Sequence, residues 1–206
     1  MELVAPGPTD RILEVDSGPG VSAGLICARL TTGQLLSVDR SPIAIERSRK
    51  RNREHLESGR LVLRQCRLAD LDEPPDSVDS ALSINVNLFW ADDPTAELEI
   101  LNGALRPGGW LHILYGAAGP TASRRVVEPI ASAMRACGFV DITVVATEHL
   151  DGVDRPMTRH RWVPAGLIAT VLLPSRRTGT AKGRGGQRLA GGRDGDLPDV
   201  FGRRAT

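Results

Sequence analysis

A short strand that breaks into a glycine turn constrains this chain more than any other feature. In residues 11–23, RILEVDSGPGVSA, the apolar run that ends at Val15 predicts a buried parallel strand. The GPG at residues 18–20 interrupts this run, and the small and apolar residues 21–30 predict a helix. Glycines let backbone N–H groups approach a ligand, and the N-terminus of a helix directs its unpaired donors to the same place. We therefore predict that a nucleotide-like ligand binds at this turn.

A carboxylate follows the next predicted strand. Residues 34–38 form a second apolar run, and Asp39 ends it about twenty residues after the glycines, the spacing at which a carboxylate meets ribose hydroxyls. Gly18-x-Gly20-x-x-Ala23 also fits the dinucleotide fingerprint with Ala in its third position. These residues alone therefore leave both NAD and S-adenosylmethionine open as the ligand.

Strands and helices alternate along the rest of the chain. The apolar and turn patterns predict further strands over 61–66, 78–84, 110–115, 139–145 and 167–173, and helices over 41–59, 94–105 and 121–137. This alternation predicts an α/β fold with a doubly wound, mostly parallel sheet of seven strands. Because no helix is predicted between the last two strands, we expect the last strand to be antiparallel.

Composition and charge narrow the classes of partner. The chain has 206 residues, of which 41% are hydrophobic and 25% are charged, as suits one soluble globular domain. Residues 174–206 hold seven Arg and one Lys against three Asp, so the net charge of +1 leaves about −4 on residues 1–173. We predict a folded domain over 1–173 and a disordered Gly/Arg-rich tail over 174–206. Because the body lacks a basic cluster, nucleic acid is not an expected partner.

Cysteines and apolar runs bear on metal sites and location. Cys27, Cys66 and Cys137 are scattered and lack a C-x-x-C spacing, so neither a disulfide framework nor a metal site is predicted. The sequence shows no apolar run long enough to span a membrane and no secretory signal at its N-terminus. We therefore expect a cytoplasmic protein with no membrane association.

Five segments together resemble the class I S-adenosylmethionine-dependent methyltransferases, of the small-molecule type abundant in actinobacteria. They are LEVDSGPG (13–20), VDRSPIAIERSRKRN (38–52), INVNLFWADDP (84–94), LRPGGWLHILYG (105–116) and ACGFVDITV (136–144). The resemblance implies a Rossmann-like seven-stranded sheet, S-adenosyl-L-methionine as cofactor and methyl transfer to a small molecule. An antiparallel last strand is typical of this family, whereas nicotinamide-binding folds usually end in parallel strands.

An NAD(P)-dependent reductase is the least favoured alternative. Gly119 stands four residues after Tyr115, so the Tyr-x-x-x-Lys pair of short-chain dehydrogenases is missing. We therefore predict S-adenosylmethionine as the cofactor, as the resemblance to methyltransferases implies, and not a nicotinamide.

The resemblance also implies roles for individual residues around the cofactor. Glu14 would hold the methionine ammonium, directly or through water, and Gly18 and Gly20 would pass close to the methionine and the ribose. Asp39 would bind the ribose hydroxyls. The residues expected beside the adenine and at the closed end of the pocket are Arg40, Ser41, Arg67, Leu68, Ala69, Asn85 and Val86.

Two residues depart from the family's pattern. Asp16 stands where the glycine motif normally has another glycine, and its carboxylate could oppose the methionine carboxylate, pair with the ammonium or cap the following helix. Arg67 stands where many relatives carry an acid that accepts from adenine, and Asp70 is the alternative acceptor. These departures keep open a catalytically inactive methyltransferase-fold protein that binds a ligand or a partner.

No side chain is required as a general base, because the sulfonium leaving group is already activated and positioning can supply much of the acceleration. If the acceptor is a hydroxyl, His149 and His160 are candidates to remove its proton. His112, within the fifth predicted strand, is expected to be a buried core residue. Only ten residues precede the first strand, so we expect the pocket to be open or to be completed by a second copy in a homodimer.

Overall fold

Five parallel strands form the centre of the computed structural model, which describes residues 4–115, 124–146 and 167–172. They pair in the order β3-β2-β1-β4-β5. This confirms the predicted α/β fold with a parallel sheet. The strands are β1 (Arg11–Val15), β2 (Gln34–Asp39), β3 (Leu61–Gln65), β4 (Val78–Ile84) and β5 (Leu105–Leu114).

Two further extended segments follow along the chain. They are β6 (Val140–Ala146) and β7 (Leu167–Leu172).

Helices cover both faces of the sheet, as a doubly wound fold requires. Ile12 and Leu35 pack in one core with Ile26 of the first helix, whereas Leu13 and Leu36 pack in a second core with Leu98 of the fifth. This division follows from the alternation of side chains along a strand. The helices are α1 (Val21–Cys27), α2 (Pro42–Arg51), α3 (Arg53–Glu57), α4 (Leu88–Ala91), α5 (Thr95–Ala104) and α6 (Arg124–Ala136), with a 3₁₀ turn over Leu68–Asp70.

The single helix predicted over 41–59 is wrong, because the structure divides it into α2 and α3. The helix begins as predicted, with Ser41 as N-cap accepting a hydrogen bond from the Ala44 amide at 3.3 Å and with Pro42 in its first turn. Asn52 then leaves the helical region, with φ −114° and ψ 30°.

The fifth strand also begins earlier than its prediction. The segment Arg106-Pro107-Gly108-Gly109, expected to separate the helix from the strand, lies within β5. Its pairing with β4 is irregular between Val78 and Ser80, and Gly108 adopts φ 79°. An irregularity of this kind accommodates a proline and a left-handed glycine inside a strand.

Candidate functional site

A cavity of about 490 Å³ lies at the carboxyl ends of β1, β2 and β4. Open α/β sheets bind their ligands at this edge, because the loops after the strands converge there. Nine of the twelve residues that the sequence analysis places around the cofactor line this cavity, and they come from four separate segments of the chain. They are Asp16, Gly18, Asp39, Arg40, Arg67, Leu68, Ala69, Asn85 and Val86.

The glycine loop, residues 17–20, is joined to the end of β2 by the Asp39 carboxylate. The amide of Gly18 donates to Asp39 Oδ2 at 2.9 Å, and the amide of Ser41 donates to Asp39 Oδ1 at 2.8 Å. Asp39 is 6% exposed, so both bonds are largely shielded from water. A Cβ added at Gly18 would meet no atom within 4 Å, which leaves open space beside this carboxylate.

Two residues of the lining other than glycine hold left-handed backbone conformations. Asp16 follows β1 and Asn85 follows β4, and each has φ 57°. This region is strained for residues other than glycine, although Asp and Asn tolerate it best. The conformation gives a physical reason why a glycine is usual at the position of Asp16.

The carboxylate of Asp16 does not cap the helix that follows. The N-cap of α1 is Gly20, without a side-chain hydrogen bond, so the capping alternative is wrong. Partial burial raises the pKa of Asp16, and the neighbouring charge of Asp39 raises it further, whereas Arg40 lowers it. Asp16 therefore adds a carboxylate to the cavity itself.

Glu14 lies outside the cavity lining, although the resemblance assigns it to the ligand. It is 2% exposed, and its two carboxylate oxygens accept hydrogen bonds from the hydroxyls of Ser22 and Ser37. Burial raises the pKa of Glu14. The expected role of Glu14 at the methionine ammonium, directly or through water, therefore stays a prediction, because Glu14 does not border the cavity.

Gly20 and Ser41 also lie outside the lining and serve the local backbone. A Cβ at Gly20 would lie 2.8 Å from the Cα of Ser48, so only glycine lets the loop pack against α2 at this distance. The side chain of Ser41 is the N-cap of α2. These two residues, predicted to contact the cofactor, therefore stabilise the backbone next to the cavity.

The third segment of the predicted lining is the turn after β3. Arg67 and Ala69 border the cavity beside Leu68, as expected. Asp70, the alternative partner for adenine, is not among the lining residues. Asp70 therefore does not line the cavity as a substitute for the acid that many relatives carry at the position of Arg67.

Six lining residues were missed by the sequence reading, and five of them lie between the end of β4 and the end of α4 or just beyond. Helix α4 has only four residues, too few to show an amphipathic period. Their position directly after a strand was the signal that could have found most of them, whereas Glu97 lies inside α5 and had none. They are Ile84, Asn87, Leu88, Ala91, Asp92 and Glu97.

The charge of the lining favours a cation. Its residues carry four carboxylates, on Asp16, Asp39, Asp92 and Glu97, against two guanidinium groups, on Arg40 and Arg67. A positively charged ligand is attracted by such a surplus, whereas a pyrophosphate is repelled. The electrostatics therefore oppose the dinucleotide alternative.

The histidine candidates do not contribute to the described site. His149 and His160 lie outside the described residues, so their assignment stays a prediction. His112 is 4% exposed within β5, as expected of a core residue, and burial lowers its pKa to about 4. At neutral pH it is therefore uncharged.

The described residues also bear on metal binding and on membranes. Within these ranges, no group of His, Cys, Asp and Glu side chains could hold a metal ion, and the three cysteines are free. Among the same residues, the helices are too short or too polar to cross a bilayer.

Comparisons with known proteins agree with this geometry. Residues 12–109 match the model of a methyltransferase domain family. A malonyl-[acyl-carrier protein] O-methyltransferase of Laribacter hongkongensis (strain HLHK9) is 29% identical over 136 residues, which cover 64% of this chain and 44% of that protein. The chain thus spans less than half the length of this curated relative.

Solved structures share the fold at lower identity. A SAM-dependent O-methyltransferase from Thermotoga maritima superposes with a TM-score of 0.65 at 15% identity, covering 86% of this chain and 64% of the other. Phosphoethanolamine N-methyltransferase 2 of Haemonchus contortus, solved with S-adenosyl-L-methionine, superposes with a TM-score of 0.58 at 22% identity. The match covers 70% of this chain and 36% of the other. Residues 12–109 therefore match the methyltransferase domain family, and the fold of the chain is that of the class I S-adenosylmethionine-dependent methyltransferases.

Proposed function

We propose that this chain binds S-adenosylmethionine in the cavity at the carboxyl ends of β1, β2 and β4 and transfers its methyl group to a small-molecule acceptor. One observation carries the proposal. The open side of Gly18 and the buried carboxylate of Asp39 meet in this cavity, joined by a hydrogen bond of 2.9 Å. The family match favours this cofactor over a nicotinamide.

The residues present fit the cofactor in charge and in polarity. S-adenosylmethionine carries a sulfonium and an ammonium group, and the lining has more carboxylates than guanidinium groups. Asp39 would bind the ribose hydroxyls, because a carboxylate with one hydrogen bond to each oxygen still has lone pairs to offer. Leu68 and Val86, both largely buried, would supply apolar contacts for the adenine.

The cofactor, when bound, supplies a methyl group on a sulfur that is already a good leaving group. The chain's own contribution is then to hold the two reactants in line and to exclude water. We assign no general base among the described residues, and His149 and His160 stay candidates for an acceptor that must lose a proton.

The α4 segment, residues 85–92, bears on the class of acceptor. Asp92 and Glu97 line the cavity in this region and would repel a carboxylate. We therefore propose a neutral or cationic acceptor, in contrast to the malonyl group in the name of the Laribacter relative.

A ligand-binding protein without methyl transfer is the second candidate, and Asp16 is the observation that favours it. Its carboxylate adds negative charge and a Cβ at a left-handed position where a glycine is usual. An S-adenosyl ligand held in a distorted position would bind without reacting.

Other features stay proposals. We propose that the complete sheet has seven strands with β7 antiparallel, supported by its backbone pairing with β5 and β6. The domain boundary at residue 173, the disordered tail, the cytoplasmic location and the homodimer stay predictions, as does the actinobacterial type.

Calorimetric titration with S-adenosylmethionine, S-adenosylhomocysteine and NADH in parallel tests the proposed function. Micromolar binding of the two S-adenosyl compounds alone, near −8 kcal/mol, is expected. Binding of NADH alone, or of none of the three, would contradict the proposal. Transfer of a labelled methyl group to a panel of neutral, cationic and carboxylate acceptors then separates an enzyme from a binding protein.

A further inference from the structure

A buried asparagine outside the cavity lining holds the glycine loop. Asn52 is 3% exposed, and its Nδ2 donates to the carbonyl oxygen of Gly20 at 2.8 Å and to that of Ser48 at 3.1 Å. The first bond joins positions 32 residues apart in the chain. It connects the junction of α2 and α3 with the end of the glycine loop.

Two glycines leave room for this amide. A Cβ at Gly20 would lie 2.5 Å from Asn52 Nδ2, and a Cβ at Gly24 would lie 2.7 Å from Asn52 Oδ1. Both distances are shorter than the contacts that a Cβ atom makes in proteins. The approach of Asn52 to the loop therefore depends on the absence of side chains at both positions.

The interruption of the helix brings a second donor to the same loop. Arg51, the last residue of α2, donates from Nε to the carbonyl oxygen of Pro19 at 3.0 Å. Two neighbouring side chains at the helix junction thus bind two consecutive carbonyl groups of the loop. On its other side, the loop is held by the bond from the Gly18 amide to Asp39.

We propose that Asn52 is a positioning residue for the cofactor: it fixes the Gly20 carbonyl and thereby the loop in which Gly18 meets Asp39. The inference rests on the proposed function, because the loop borders the cavity in which S-adenosylmethionine is expected to bind. Asn52 acts through the loop and does not line the cavity.

The chain offers a matched control for an Asn52→Ala variant. Asn102, in α5, also donates from Nδ2 to a distant carbonyl oxygen, that of Cys137, at 2.7 Å. It does not line the cavity. We expect Asn52→Ala to raise the Kd for S-adenosylmethionine about tenfold, the loss of one buried hydrogen bond, and Asn102→Ala to change it less than about twofold.

Calorimetry gives the two Kd values, and urea unfolding shows whether both variants lose similar stability. An unchanged Kd in Asn52→Ala, or an equal rise in both variants, would overturn the positioning role. Arg51→Ala is a second variant with little risk to folding, because the hydrogen bond of Arg51 is exposed. It should raise the Kd severalfold, whereas Arg53→Ala, which loses only an exposed pair with Glu57, should not.

Hydrogen exchange in the ligand-free chain tests the same contact without any cofactor. The amides of Gly20 and Gly24 are bonded to the carbonyl oxygens of Ser17 and Gly20. In Asn52→Ala we expect both to exchange about tenfold faster, with unchanged rates in β3. Equal rates in wild type and variant would overturn the inference, whereas a wild-type chain that fails to bind S-adenosylmethionine would overturn the proposed function instead.

Discussion

The two sides of the cavity are held in place by different forces. The glycine loop is fixed by a hydrogen bond that Asp39 accepts and by those that Arg51 and Asn52 donate, and all three residues lie in or next to α2 and β2. The α4 segment is anchored by apolar burial, with Phe89 1% and Val86 5% exposed, and by hydrogen bonds near its start, where the Asn85 amide donates to the Leu114 carbonyl oxygen and the Tyr115 hydroxyl donates to that of Val86. Directional bonds specify atomic positions, whereas apolar packing tolerates several arrangements of similar volume. We infer that the loop side fixes the ribose of the cofactor and that residues 87–92, beyond Val86, adapt to the acceptor.

Gly20→Ala should show the largest effect, because it places a methyl group against the backbone of α2. The Cβ would lie 2.8 Å from Ser48 Cα, in a residue with φ 75°. We expect a loss of about 3 kcal/mol in the free energy of unfolding, measured with urea. Gly18→Ala, at φ 53° with open space around its Cβ, should lose about 1 kcal/mol, from backbone strain alone. Equal losses would show that the loop does not pack tightly on α2.

Asp39→Ala should have the next largest effect, on binding. It removes the proposed ribose acceptor and both backbone hydrogen bonds that join the loop to β2. We expect the Kd for S-adenosylmethionine to rise about 100-fold, since hydrogen bonds to a charged group are the strong ones. Asp72→Ala, an exposed aspartate outside the cavity lining, is the control and should bind as wild type. An unchanged Kd in Asp39→Ala would remove this residue from the site.

Asp16→Asn should alter selectivity for ligand charge. The variant loses a cavity carboxylate at constant shape, so we expect the preference for the sulfonium of S-adenosylmethionine over the neutral thioether of S-adenosylhomocysteine to fall about fivefold. Burial and the nearby Asp39 raise the pKa of Asp16. The wild-type preference should therefore decrease as the pH falls through that raised pKa, whereas Asp16→Asn should lack this component. Titrations with both ligands over this pH range would measure the preference. Identical pH profiles for the wild type and Asp16→Asn would contradict a role for the charge of Asp16.

Asp92→Asn should have the smallest effect on the cofactor. If residues 87–92 serve the acceptor, the Kd for S-adenosylmethionine should change less than about twofold, because one partly solvated charge contributes little at a distance. The same variant should change KM for a cationic acceptor once one is identified. A large change in cofactor affinity would place the α4 segment on the cofactor side of the cavity.

The sequence could predict the features that local residue types determine, but not those that depend on contacts between distant residues. The Gly18, Asp39 and Ser41 positions carry strong local signals, since turns, strand ends and N-caps demand particular residue types. The parallel sheet was predictable from its apolar runs. The break at Asn52 was not, because it depends on a contact across 32 residues, and α4 was not, because one helical turn has no period. The hydrogen bonds of Glu14 with Ser22 and Ser37 were not predictable either, because these residues meet only in the fold.

The most direct test of the account is a crystal structure of the chain with S-adenosylhomocysteine. We predict that the adenosyl group occupies the cavity, with its ribose hydroxyls within hydrogen-bonding distance of the Asp39 carboxylate and its adenine against Leu68 and Val86. A ligand bound elsewhere, or a ribose that Asp39 does not contact, would contradict the assignment of this cavity to the cofactor.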